Sequence, residues 1–202
     1  MDILLKMINY SKNNTRIETD RLILRQPSKS DISDIVRNLS DLRVSKWLLV
    51  VPYPYTRKNA IWYIDHSAEK VKVKPRNDYG FWIELKETGE VIGGIGLHQI
   101  KSDQGTSTVG YWLGVKHHRK GYGSEALEAL IDLAFERLRL RRLEAGVLVG
   151  NPSSGKLLEK YGFKREGLKR KAIIPKATGK IGDEYIYGLL RSEYKKPRRK
   201  KK

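Results

Sequence analysis

The run His117-His118-Arg119-Lys120-Gly121-Tyr122-Gly123-Ser124-Glu125-Ala126 leaves this chain few ways to fold. Residues 109–115 before it are apolar and fit a strand. After it, Leu127, Leu130, Ile131, Ala134, Phe135 and Leu138 recur at the spacing of one helix face. A second apolar stretch, 143–149, follows. A crossover helix of that length returns the chain to the end of the sheet where it began, so the two strands are expected to be parallel neighbours.

The turn between strand and helix has its own chemistry. The first backbone N–H groups of a helix have no internal acceptor, and the aligned peptide dipoles make that end partly positive. Gly121 and Gly123 allow close backbone approach, and Arg119 and Lys120 add formal charge beside it. Phosphate or pyrophosphate is the natural ligand of such a turn. The same glycines also suit a plain strand-to-helix connection with a solvated basic face, so the neighbouring segments have to decide.

Those neighbours predict a mainly antiparallel sheet. Residues 21–25 alternate and read as a first strand ending at Pro27. Ser28 or Ser30 then caps a helix carrying Ile32, Ile35, Val36 and Leu39, and Thr56 caps another through Ala60, Ile61, Ile64 and Ala68. Between them, 47–55 with Pro52 and Pro54 is expected to be irregular. Segments 79–85 and 90–100, joined by Lys86-Glu87-Thr88-Gly89, read as a hairpin, and 106–115 extends it into a meander. After the crossover, Asn151-Pro152-Ser153-Ser154 opens a helix that Gly162 ends, and 163–174 with 181–190 forms a closing hairpin. The expected class is α+β: a mixed, mainly antiparallel sheet flanked by helices, with its two central parallel strands in the middle.

A chain of 202 residues with 39% hydrophobic content supports one core. We expect an N-terminal extension at 1–15, one domain at 16–192 and a disordered basic tail at 193–202. Seven of the eighteen net positive charges fall on Lys195, Lys196, Arg198, Arg199, Lys200, Lys201 and Lys202, leaving +11 on the body. Such a run repels itself and releases counterions on a polyanion, so ribosome or nucleic-acid contact is one expectation and a solubilising tail the other. The absence of cysteine removes disulfides, thiolate ligands and a thiol nucleophile. His66, His98, His117 and His118 show no metal-ligand spacing, so no metal is expected. No apolar run approaches about 18–20 residues and no signal peptide is evident, which predicts a cytoplasmic protein, monomer or homodimer, without membrane contact.

Read together, these segments resemble a known family. The glycine turn, the amphipathic helix, Asn151-x-x-Ser154 and Glu159-Lys160-Tyr161-Gly162-Phe163 match, in order and spacing, the GNAT acyl-CoA N-acetyltransferases. The match extends to Glu18-Thr19-Asp20-Arg21-Leu22-Ile23-Leu24-Arg25, Gly110-Tyr111-Trp112-Leu113 and Asp183-x-Tyr185, and is nearest the branch of ribosomal-protein N-terminal acetyltransferases. The resemblance runs from about 21 to 191. It implies that acetyl-CoA is the cofactor, its pyrophosphate resting on His118, Arg119, Lys120, Gly121, Tyr122, Gly123 and Ser124. It implies too that the pantetheine arm lies along Leu113, Gly114 and Val115, where the central strands splay apart, commonly at a β-bulge. A backbone N–H there would polarise the thioester carbonyl and hold the oxyanion. Asn151 takes the place of a cofactor-contacting asparagine, and Ser154 that of the residue credited with protonating the departing thiolate.

The chain departs from the family at His118, in place of Gln or Arg, and at Leu158, in place of a tyrosine acid. It departs again at Thr108 and Ile173, where relatives carry carboxylates. The general base is therefore open, with Glu84, His98 and Tyr111 acting through water as candidates. Trp47, Tyr53, Tyr55 and Trp62 fall in the segment that shapes the acceptor pocket of relatives. Deprotonating an α-amine at pH 7 costs roughly 1.4 kcal/mol against roughly 4.6 for lysine, which favours a protein N-terminus, such as that of a ribosomal protein, as acceptor. Polyamines or other small amines are alternative acceptors, although a +11 body is a poor host for polycations. A non-catalytic acetyl-CoA-binding module docking on ribosome or nucleic acid is the other reading. Gly121-x-Gly123-x-x-Ala126 also fits a dinucleotide fingerprint, but Lys116 to Lys120 separate it from the strand and Glu144 starts the next strand rather than ending it.

Overall fold

The computed structural model describes residues 16–73 and 75–195 together with the backbone of 9–10. Its strands are β1 (Asn9–Tyr10), β2 (Arg16–Glu18), β3 (Leu22–Arg25), β4 (Tyr79–Leu85), β5 (Val91–Lys101), β6 (Thr106–Leu113), β7 (Arg142–Leu148), β8 (Lys164–Ile173) and β9 (Gly182–Leu190). Its helices are α1 (Ile32–Leu39), α2 (Leu42–Ser45), α3 (Arg57–Lys72), α4 (Tyr122–Asp132) and α5 (Pro152–Lys160). The strands form one sheet in the order β1-β2-β3-β4-β5-β6-β7-β9-β8. β6 and β7 are parallel, and every other neighbouring pair is antiparallel.

Strand alternation divides the core between the two sheet faces. On one face Phe81, Ile83, Ile95 and Leu97 meet Leu127, Leu130 and Phe135 from α4 and its extension, with Leu158 and Tyr161 of α5. A leucine buried as fully as Leu127 or Leu130 contributes about 1.5–3 kcal/mol, so this stripe alone fixes α4 on the sheet. On the other face Ile32, Ile35 and Leu39 of α1 and Ala60 and Ile64 of α3 cover Trp82 and Val91. The expected caps form: Ser28 accepts from Ser30 N–H ahead of α1, and Thr56 with Asn59 makes a reciprocal capping box on α3.

Several boundaries differ from those read in the sequence. β2 and the one-turn α2 are additional. They are too short for periodicity to register, and β2 exists through its pairing with β3. β6 stops at Leu113 rather than 115, because Val115–His117 tightens into a 3-10 turn. The closing end runs past 192: Tyr194 packs on Phe135 with ring centroids 5.7 Å apart, and its hydroxyl lies 3.4 Å from Asp132 Oδ1. The segment called an N-terminal extension contributes β1 to the sheet edge. Residues 196–202, most of the expected basic tail, lie outside the described residues. Among the described residues no helix is long and apolar enough to cross a membrane.

Candidate active site

The parallel pairing of β6 with β7 lasts for three residue pairs, Thr106↔Arg142, Ser107↔Leu143 and Thr108↔Glu144, and then stops. Beyond it β6 continues on β5 to Leu113, while β7 stays on β9 to Leu148, so the sheet splits between them. The expected bulge is not on β6, whose pairing with β5 is continuous from Leu113 to Thr108. The irregularity is on β5 opposite Ser107, between His98 and Lys101, where Gln99 has φ +51°.

A cavity of about 710 Å³ occupies the split. Gly114 N–H bonds to Ile92 C=O at 2.8 Å, and antiparallel alternation then turns the main-chain groups of Leu113 and Tyr111 away from β5, into the gap. The Leu113 carbonyl is taken by His118 Nε2, which donates to it at 3.0 Å. That leaves the Leu113 amide as a donor facing the gap.

At one end of the cavity Gly121 has φ +83°, a conformation open to glycine at little cost, and it starts α4 with no side-chain cap. The amides of Tyr122, Gly123 and Ser124 are therefore first-turn donors without a side-chain acceptor, on residues that line the cavity. The turn is held from outside by Glu125. Its Oε1 accepts from Thr19 Oγ1 at 2.6 Å and Arg21 N–H at 2.8 Å, and its Oε2 from Arg21 Nε at 2.7 Å. Arg21 Nη1 donates to Lys120 C=O at 3.0 Å, and its guanidinium stacks 4.6 Å above the Tyr122 ring. Tyr161 donates to Ser124 C=O at 2.6 Å, fastening α5 to the same turn. Neither Arg21 nor Glu125 was singled out in the sequence, since their pairing spans more than 100 residues.

α5 brings Ser154 to the cavity. Asn151 Oδ1 caps the helix by accepting from Ser154 N–H at 3.3 Å. Ser154 Oγ lies 2.8 Å from the Tyr111 hydroxyl, which also reaches Ser154 C=O at 3.1 Å. Burial pushes the Tyr111 hydroxyl up to about 12, so it stays a phenol at neutral pH. The hydroxyl pair can pass a proton.

The structure separates the remaining sequence candidates. Leu113, Val115, His118, Arg119, Gly121, Tyr122, Gly123, Ser124, Asn151 and Ser154 all line the cavity. Gly114 and Lys120 do not: Gly114 is packed on Asn38, and the Lys120 carbonyl is bound by Arg21. Glu84 and His98 also lie outside it. Glu84 is paired with Arg25, which also holds Asp31 at 2.8 Å, and His98 Nδ1 lies 2.9 Å from Asp78. Glu84 is held in an ion pair and His98 in a hydrogen bond, each with a partner from another part of the chain. Trp47 lines the cavity, whereas Tyr55 is buried under α1 and α3, and Trp62 is 64% exposed, stacked on His66.

Such a site, an open helix N-terminus at one end of a split sheet with a strand amide facing the gap, is built for an extended ligand that carries an anionic group. Residues 21–164 match the acetyltransferase (GNAT) domain model, and the chain belongs to that family; it is an acetyl-CoA-dependent N-acetyltransferase. It is 36% identical over 183 residues to the uncharacterized N-acetyltransferase p20 of Bacillus licheniformis, covering 87% of this chain and 96% of that protein. It is also 36% identical to the ribosomal-protein-serine acetyltransferase of Escherichia coli, over 83 residues, 41% of this chain and 46% of that protein. A solved structure from Vibrio cholerae, provisionally assigned as a ribosomal-protein-serine acetyltransferase, superposes with a TM-score of 0.75 at 26% identity, covering 89% of this chain and 99% of the other.

Proposed function

We propose that this chain transfers the acetyl group of acetyl-CoA to the N-terminal α-amine of a protein, with a ribosomal protein as the first acceptor to test. The donor's pyrophosphate rests on the Tyr122, Gly123 and Ser124 amides beside His118 and Arg119. Its arm runs between β6 and β7 with the thioester carbonyl at the Leu113 amide, where a donor aimed at developing negative charge lowers the barrier most effectively. Acetyl-CoA supplies the activated acyl group. The protein's part is to hold acceptor and thioester in line, to stabilise the oxyanion and to return a proton to the leaving sulfur from Ser154.

The observation that carries this reading is the mixed lining of the cavity. Its donor end is the α4 turn, and Trp47, Leu48, Leu49 and Trp112 line it elsewhere, with Leu48 and Trp112 packed on the α1 and α3 cluster. Leu49, Val50, Tyr53, Ile174 and Ile181 are exposed apolar residues of the flanking segments, a surface fitted to the first residues of a polypeptide rather than to a polycation. The likeness to ribosomal-protein-serine acetyltransferases supports the same acceptor class. The basic run at 195–202 supplies charge for contact with ribosomal RNA.

Thiol release from acetyl-CoA, measured with peptides of varied first residue and with spermidine, tests this. Acetylation at the peptide α-amine, located by mass spectrometry, is the expected result; turnover with spermidine and none with any peptide overturns it.

A further inference from the structure

Among the described residues that line the cavity, Glu184 is the only carboxylate. It sits on β9 opposite Leu148, its side chain is 20% exposed, and Lys169 Nζ on β8 lies 4.0 Å away. Its carboxylate is laid across the neighbouring strand: a Cβ built on Gly146 of β7 would overlap Glu184 Oε1. Glycine at 146 is what lets an acidic side chain cross β7 and reach the split.

Alternation gives that carboxylate a side. Ala145 and Val147 of β7 are buried in the core that packs α4, so Gly146 faces the other way, onto the face of α1 and α3. Trp112 of β6 shares that face, packed with the α1 and α3 cluster. The glycine turn, Tyr111 and Ser154 belong to the α4 face. The gap therefore has a carboxylate on one side of the sheet and a hydroxyl pair with the anion turn on the other.

We propose that Glu184 is the general base of this enzyme, taking the ammonium proton of the acceptor amine from the sheet face opposite the donor turn. This rests on the acetyl-transfer reading above. Arg43 and Lys46 line the same cavity and would repel an incoming cation, so the acceptor ammonium has one negative partner there. In water a carboxylate is the weaker base, but in a site closed by the acceptor the uncharged pair is favoured over the desolvated ion pair. The proton passes from nitrogen to the Glu184 carboxylate and then to solvent. The freed lone pair forms the N–C bond, and the C–S pair leaves with sulfur. The second nitrogen proton goes to that sulfur through the Ser154 and Tyr111 hydroxyls.

The test compares wild type with Glu184→Gln and Gly146→Ala, using alanine- and serine-leading peptides and spermidine with acetyl-CoA. For Glu184→Gln we expect kcat to fall 10²- to 10³-fold, with the KM for acetyl-CoA and the acetyl-CoA-induced shift in melting temperature unchanged. Its kcat at saturating acceptor should rise with pH between 6 and 9, where that of wild type is flat. Gly146→Ala, which displaces the carboxylate without removing it, should lower kcat in the same direction. A Glu184→Gln enzyme within threefold of wild-type kcat and with the wild-type profile overturns the proposal and leaves acetyl transfer intact. Turnover of spermidine alone, with the same loss in Glu184→Gln, supports the base and overturns the peptide acceptor. A wild type that acetylates none of these amines overturns both.

Discussion

Removing the Glu125 carboxylate should show how firmly the anion turn is held. Glu125→Ala deletes two bonds to uncharged donors, from Thr19 Oγ1 and Arg21 N–H, and one ion pair, to Arg21 Nε. Both bonds are accepted by a carboxylate, and at the low end for bonds to a charged group each is worth about 1.5 kcal/mol. The ion pair contributes about 0.5–1 kcal/mol because the Arg21 side chain is half exposed and screened by solvent. The Thr19 hydroxyl keeps the Leu22 carbonyl as a partner at 3.2 Å, so no further penalty for a stranded donor applies. The sum, about 3.5–4 kcal/mol, lowers the melting temperature by roughly 7–16 °C for a chain of this size. Arg21 also holds the Lys120 carbonyl, so acetyl-CoA should bind about 5- to 10-fold more weakly, a change of about 1–1.4 kcal/mol. Calorimetric melts and acetyl-CoA titrations of Glu125→Ala, Arg21→Ala and the double variant measure both effects. The two substitutions share only the Arg21 Nε–Glu125 Oε2 pair, so the loss in the double variant should fall short of the summed single losses by about that pair's 0.5–1 kcal/mol. A melting temperature within 1 °C of wild type, or losses that simply add, refutes the clamp.

Three further outcomes are expected. Gly123→Val would press on Leu113 and Leu157, which lie 3.3–3.4 Å from a Cβ there, and should abolish stabilisation by acetyl-CoA while moving the ligand-free melting temperature by less than about 4 °C; a retained ligand shift would show that the turn is not the anion site. Ser154→Ala should lower kcat about 10- to 100-fold with the KM for acetyl-CoA unchanged, and Tyr111→Phe should lower it in the same direction; full activity in both removes the hydroxyl pair from proton return. The third concerns His117, which is 6% exposed and held below the ordinary imidazole value chiefly by burial. The unfolded chain then takes up this proton first as pH falls. The contribution of His117 to stability is complete above about pH 6.5 and is lost as pH drops from there toward the folded value. Melts at pH 7.5 and 5.0 should show a smaller acid-induced drop in His117→Leu than in wild type, and equal drops would contradict the sign.

Fold class, crossover and most caps were legible because each is a local pattern: apolar period, glycine position, Ser, Thr or Asn before a helix. The anion turn was legible for the same reason, as 117–126 carries its glycines, charges and helix start in one stretch. Asn151 and Ser154 were placed with it by the resemblance to the acetyltransferase family, and the structure puts both on the cavity lining. The partners of the base candidates Glu84 and His98, Arg25 and Asp78, were not legible because they come from other parts of the chain. Glu184 gave no signal, because its meaning depends on its side chain crossing Gly146, diagonal to it on a strand pair formed by residues nearly forty apart.

By itself, then, the sequence determined where a helix opens on a glycine turn with basic residues beside it, since that needs one turn of backbone and the helix it starts. Which side chains face the donor, which face the acceptor, and which charges are already spent on one another was decided by the tertiary structure alone. Those properties belong to the register between strands and to the point where β6 and β7 part. No local pattern carries that information, because a side chain's face and partner are set by the strands beside it.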